Sequence, residues 1–144
     1  MLHVEAHAII RAEPARVAAI YLDYRNWPDL FPTISGTRLL HDEDGTKTIA
    51  VDHWEGQVIN LLTVESAGRV HLAEFKRHFD GEFVNAFDPV PGGTCFRVSA
   101  SIRLKGLAQL LQPFLAGVAR RRIAHYVLEP VRAAAEAPPR PTHA

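Results

Sequence analysis

The sequence predicts an α+β fold. A curved seven-stranded antiparallel sheet wraps around a long C-terminal helix, and two short helices lie between the first and second strands. Three observations carry this reading. The elements run strand, short helices, six consecutive strands, long helix, and strands in runs flanked by helices belong to α+β architectures. The apolar period is two through most of the chain and turns helical after Lys105-Gly106. The length of 144 residues suits one domain that buries a full core without staples.

Each element follows from its local pattern. His3 to Arg11 alternates, with Val4, Ala6, Ala8 and Ile10 opposite His3, Glu5 and His7, which is a half-buried strand. Glu13-Pro14 starts a helix, because proline is tolerated in a first turn. Val17, Ile20, Tyr21 and Tyr24 continue it at helical spacing to about Asp23. Asn26 to Pro32 carries two prolines and holds at most one further turn. Strands are then expected over Thr37–His41, Thr46–Trp54, Gln57–Glu65, Arg69–Lys76, Phe79–Phe87 and Thr94–Leu104. The breaks between them include Asp42 to Gly45, Glu55-Gly56, Ser66 to Gly68 and the loop Pro89 to Gly93. The last helix runs to about Glu136, with Pro113 and Pro130 as interruptions. Residues 1–136 form the domain, and the tail from Ala137 to Ala144, with three prolines, is expected to be disordered. One helix does not fill the concavity of so wide a sheet, so a cavity follows from the element order.

Composition removes several classes. Lys plus Arg and Asp plus Glu are 16 each, so no nucleic-acid partner is expected. The single Cys95 excludes an internal disulfide and any multi-cysteine zinc site. No apolar run reaches the ~20 residues of a membrane span, so no stable membrane insertion is expected. The N-terminus lacks a basic start followed by an apolar run, and a cytoplasmic location is expected. His3 and His7 fall on one strand face about 13 Å apart, too far to share a metal. Motifs of the H-E-x-x-H, G-x-S-x-G and phosphate-loop types are missing. No metal and no cofactor are expected.

Several segments resemble a known family. Pro14-Ala15-Arg16-Val17 looks like its A-P-x-x-V helix start. Asp23 to Pro32 looks like its D-x-x-x-W/Y-P-x-x-x-P segment, and Phe87-Asp88-Pro89 with Gly92-Gly93-Thr94 looks like its F-x-P, G-G-T hairpin. In order and spacing these resemble the START-like (SRPBCC) superfamily over residues 3 to 136, and within it the polyketide cyclase/dehydrase and coenzyme Q-binding proteins. The resemblance implies a helix-grip fold with a deep hydrophobic pocket. It brings no shared catalytic motif, since the superfamily includes lipid carriers, quinone-binding proteins, aromatase/cyclases and hormone receptors.

Alternation assigns the inward faces. Val98 points in from the strand after the Gly-Gly turn, with Phe96, Ala100 and Ile102. Phe83, Asn85 and Phe87 form one face of its hairpin partner. Asn60 and Leu62 point in from the fourth strand, and Val51 and His53 from the third. Trp27 and Phe31 follow the short helix. In similar aromatase/cyclases the positions matching Trp27, Asn60, Asn85 and Val98 line the cavity, several with larger side chains than here.

On the long helix, Leu107, Leu110, Leu111, Phe114 and Val118 form one stripe at ~100° per residue, which continues to Arg121, His125 and Leu128. An inward Arg121 would anchor a ligand head group, and His125 would donate a hydrogen bond or a proton. The alternatives are that a bend at Pro113 turns Arg121 outward, or that it pairs with an acid such as Glu82. The expected ligand site is therefore Trp27, Phe31, Val51, His53, Asn60, Leu62, Phe83, Asn85, Phe87, Val98, Phe114, Val118, Arg121 and His125. The expected function is binding of a hydrophobic small molecule (lipid, quinone or polyketide-like) by a monomer or homodimer. A cyclase/aromatase using pocket Arg and His, and a macromolecule-binding module using the basic face of Arg120 to Arg122, are the alternatives.

Overall fold

A computed structural model describes residues 1–138. The expected tail therefore falls, from residue 139 on, outside the described residues. Seven strands form one antiparallel sheet in the order β1-β7-β6-β5-β4-β3-β2. They are β1 (Leu2–Ile10), β2 (Ile34–Glu43), β3 (Thr46–His53), β4 (Gly56–Ser66), β5 (Arg69–Phe75), β6 (Phe79–Val90) and β7 (Gly93–Leu104). Between β1 and β2 lie α1 (Pro14–Leu22), a 3-10 turn (Tyr24–Asn26) and α2 (Trp27–Leu30). The C-terminal helix has four segments: a 3-10 start (Gly106–Leu111), α3 (Gln112–Ile123), a π turn (Ala124–Leu128) and α4 (Glu129–Glu136).

The strand periods hold in space. Along β7, Phe96, Val98, Ala100, Ile102 and Leu104 are buried while Arg97 and Arg103 are exposed, as the pleat requires. Two elements outrun their expected ends for physical reasons. β2 begins at Ile34 rather than Thr37, because a register shift between Ile34 and Gly36 absorbs the glycine. β6 runs through Pro89 to Val90, leaving only Pro91 and Gly92 as the turn. Its pairing with β5 ends at Ala86, so the missing N–H of Pro89 breaks no bond on that side.

The core sits between the concave face and the helices. Phe87 and Phe96 stack at 4.8 Å between centroids, and Tyr21 of α1 meets both at 5.9 and 5.8 Å. Arg16, within the A-P-x-x-V segment, ties the two ends of the chain together. Its Nε donates to the Ala135 carbonyl at 2.9 Å and its Nη2 to those of Ala134 and Ala137 at 3.4 and 3.2 Å. A guanidinium there caps the last carbonyls of α4 and complements the negative end of the helix.

Pro130 does not stop the helix. A proline ring clashes with the carbonyl four residues back, here that of Tyr126. The helix widens to π geometry over Ala124–Leu128, which relieves the clash and continues as α4. Val131 and Ala135 of α4 remain buried against β1 and α1.

Candidate functional site

A cavity of about 370 Å³ lies between the concave face of the sheet and the C-terminal helix, within the ~300–1,000 Å³ range of small-molecule sites. β6 and β7 supply Phe83, Asn85, Val98, Ile102 and Leu104, β4 and β5 supply Asn60, Leu72 and Glu74, and Lys76 follows directly after β5. Tyr21, Trp27, Phe31, Thr33 and Ile34 close one side. The helix contributes Ala108, Leu115, Val118, Ala119, Arg122, Ile123, Tyr126 and Val127.

The polar groups on the wall include Tyr21, Asn60, Asn85, Glu74 and Lys76. The Tyr21 hydroxyl is pushed far above its usual pKa, first by burial and then by the negative Glu74, against an opposing pull from Asn85, so it stays protonated. Asn60 is 4% exposed and its Oδ1 has no hydrogen-bond partner. Asn85 donates from Nδ2 to the Val70 carbonyl at 3.3 Å. Glu74 and Lys76 pair at 2.9 Å with side chains only 17% and 13% exposed, so removing either one strands a poorly solvated charge.

A second group gathers where the β3–β4 turn meets the helix. Arg122 Nη2 donates to Glu55 Oε1 at 3.2 Å and its guanidinium lies 5.6 Å from the Trp54 ring centroid. Trp54 meets Tyr126 edge-on at 5.4 Å and donates from Nε1 to Glu55 Oε1 at 3.1 Å. Partial burial pushes the Glu55 carboxyl up, but the positive Lys76 and Arg122, together with His53, outweigh it, and the pKa ends lowered. These contacts latch the turn to the helix.

His53 sits beside this latch as a neutral ring. Burial, then the Lys76 and Arg122 charges, lower its pKa from 6.5 to about 4, against an opposing pull from Glu55. The geometry agrees: the Glu55 backbone N–H donates to His53 Nδ1 at 3.2 Å, which requires an unprotonated Nδ1. Because the folded pKa is depressed, the unfolded chain binds the proton more readily between these values. The resulting stability is complete above pH 6.5 and is lost as pH falls toward about 4. The urea midpoint of the wild type is expected to drop from about pH 7 to about pH 5 more than that of His53→Gln. Parallel profiles would show that His53 ionises normally in the fold.

Of the expected site residues, Trp27, Phe31, His53, Asn60, Phe83, Asn85, Val98 and Val118 come together on the cavity wall. Val51, Leu62 and Phe87 are 1%, 3% and 2% exposed and lie in the packed core outside the lining. Phe114, Arg121 and His125 need correction. Phe114 is 77% exposed, Arg121 and His125 are exposed, and none lines the cavity. The helix positions that meet the cavity are Leu115, Val118/Ala119, Arg122 and Tyr126, one position further on, with Val118 and Arg122 at its rim in contact with solvent. The wrong stripe had the larger apolar side chains, and its start at Leu107 lies in a 3-10 segment where the 100° step does not hold. Arg122 and Tyr126 were visible in the sequence at i, i+4 spacing from Val118. Glu74 and Lys76 gave no such signal, since an acid and a lysine near a strand end read as solvent-facing.

A family model described as "Polyketide cyclase / dehydrase and lipid transport" matches residues 1–136. The chain belongs to this family. Several solved structures share the fold of this polyketide cyclase/dehydrase chain. The di-domain ARO/CYC StfQ from the steffimycin biosynthetic pathway superposes with a TM-score of 0.79 at 11% identity over 94% of this chain, which spans 50% of StfQ. The Zhui aromatase/cyclase from Streptomyces sp. R1128 superposes at 0.74 with 14% identity over 93% of both chains. A START superfamily protein from Mycobacterium smegmatis superposes at 0.69 with 16% identity, covering 93% of this chain and 97% of that one. No curated protein matches the sequence. Among the described residues no helix is long and apolar enough to cross a membrane, and no cluster of three metal-binding side chains occurs.

Proposed function

We propose that this polyketide cyclase/dehydrase family member binds a hydrophobic small molecule, lipid-, quinone- or polyketide-like, in the cavity under its C-terminal helix. The observation that carries the reading is a preformed cavity of about 370 Å³ walled by apolar and aromatic side chains, with its charged groups confined to Glu74–Lys76 and the latch. Small side chains on the helix, Ala108 and Ala119, keep the space open. Burying about 300 Å² of apolar ligand surface there contributes several kcal/mol at ~25 cal/mol per Å². The protonated Tyr21 hydroxyl and the Asn60 amide are suited to orient a polar end.

Filling the space tests this. Ala119→Phe places a ring in the cavity and should weaken binding of the fluorescent apolar probe N-phenyl-1-naphthylamine by about tenfold or more, with the cooperative unfolding transition retained. Unchanged probe affinity in a folded variant would put the ligand elsewhere.

A second reading, polyketide cyclase-type chemistry, is favoured by one observation: a hydrogen-bond donor (Tyr21) and a neutral imidazole (His53) line the same cavity. Such an enzyme would hold a flexible poly-β-ketone folded while these groups polarise a carbonyl and move a proton. Ring formation from a poly-β-ketothioester separates it from carriage. The macromolecule-binding reading has less support, because Arg122 turns into the latch and Arg120 Nε donates to the Glu5 carbonyl at 3.2 Å.

A further inference from the structure

The stripe that fails to face the cavity faces solvent. Leu107, Leu110, Leu111 and Phe114 are 84%, 74%, 55% and 77% exposed, and Val118 beside them is 39% exposed. They lie along the 3-10 start and α3, with Val118 at the edge between this exposed surface and the cavity. Soluble chains rarely leave so many large apolar side chains together in water. The same segment turns Ala108, Leu115 and Val118 to the cavity, so the exposed face and the cavity wall are two sides of one element.

The segment that carries this face has charge of one sign, the acids near it coming from other elements. From Pro89 to Leu128 the sequence has no Asp or Glu, while it carries Arg97, Arg103, Lys105, Arg120, Arg121 and Arg122. Lys105 and Arg122 are paired with Asp80 and Glu55. Among the described residues Arg103, Arg120 and Arg121 have no acidic partner. Arg121 continues the apolar stripe directly, one turn beyond Val118. An apolar tip followed by cations on the same face is the pattern of a segment that lies in a membrane interface, with apolar side chains at the acyl boundary and cations at anionic head groups.

We infer that the outward face of Leu107 to Val118 docks on an anionic lipid bilayer, with the cavity-lining side of the same segment placed to pass an apolar ligand between bilayer and cavity. The docking itself stands on the exposed face and its charge. The transfer rests on the cavity reading proposed above.

The test is flotation of the full chain with phosphatidylcholine vesicles, with and without phosphatidylglycerol. The chain should float with the anionic vesicles, less with the neutral ones, and less again at high salt. Leu110→Ser and Phe114→Ser should each weaken partitioning about tenfold, the size expected for withholding one large apolar side chain from the interface. Neither residue lines the cavity, so both variants should bind N-phenyl-1-naphthylamine normally in vesicle-free solution. A wild type that stays at the bottom of the gradient with anionic vesicles overturns the inference, as do variants that float equally well. If instead the wild type is a dimer that ignores vesicles and the two substitutions make it monomeric, the face belongs to a second copy and the bilayer assignment falls. Vesicle binding without any probe binding in solution would keep the docking surface and remove the cavity reading.

Discussion

Gly93→Ala should unfold the chain at markedly lower denaturant, a loss of about 2–4 kcal/mol. A Cβ at this position would overlap the Ile10 carbonyl oxygen and stand 3.0 Å from its carbon. Both are backbone atoms of β1, so no rotamer change relieves the contact. β1 must move away from β7 at the end where Ile10 pairs with Thr94. The Thr94 Oγ1 donation to the Ala12 carbonyl, 2.7 Å, lies in the path of that movement. The effect arises from close approach of two strands and not from an unusual backbone angle. Gly117→Ala provides the contrast. It sits in α3 with nothing within 4 Å of the added atom, and alanine should stabilise it by about 0.5–1 kcal/mol. Urea unfolding of both variants checks the pair. Equal midpoints would mean that β1 yields freely at its end.

Phe96→Ala should cost about 3–5 kcal/mol, the range for removing a fully buried aromatic ring. Phe96 is 0% exposed, stacks on Phe87 and meets Tyr21 edge-on. It joins α1 to β7, and the cavity wall includes Tyr21 from the same cluster. The variant should therefore lose probe affinity along with stability. Calorimetry and probe titration together check this. A midpoint shift of only a degree or two would show that the existing cavity collapses into the vacated space.

The strands were legible in the sequence because an alternating run bounded by turn residues has only one way to bury one face. Thr94–Leu104 and Arg69–Lys76 came out within a residue of β7 and β5. The family resemblance was equally legible in Pro14 to Val17 and Asp23 to Pro32, residues that set helix starts and turns. The helix phase was not. Reading helices by their large apolar side chains assumes that large side chains fill the interior. This interior is hollow, and a hollow is kept open by alanines at 108 and 119 and lined by Arg122 and Tyr126. The bulky stripe then lies on the other side. The Glu74–Lys76 pair was hidden for a related reason, since a half-buried ion pair looks like surface until the wall above it is known.

The π turn ahead of Pro130 has a bearing on how this chain can change over time. It separates α3, whose phase decides which side chains meet the cavity, from α4, which Arg16 and the core hold against α1 and β1. A widened turn absorbs a rotational offset that a continuous α-helix would transmit along its length. Substitutions that reshape the cavity half are thereby insulated from the anchored half, and new ligand preferences can be sampled without renegotiating the part of the helix that holds the fold closed.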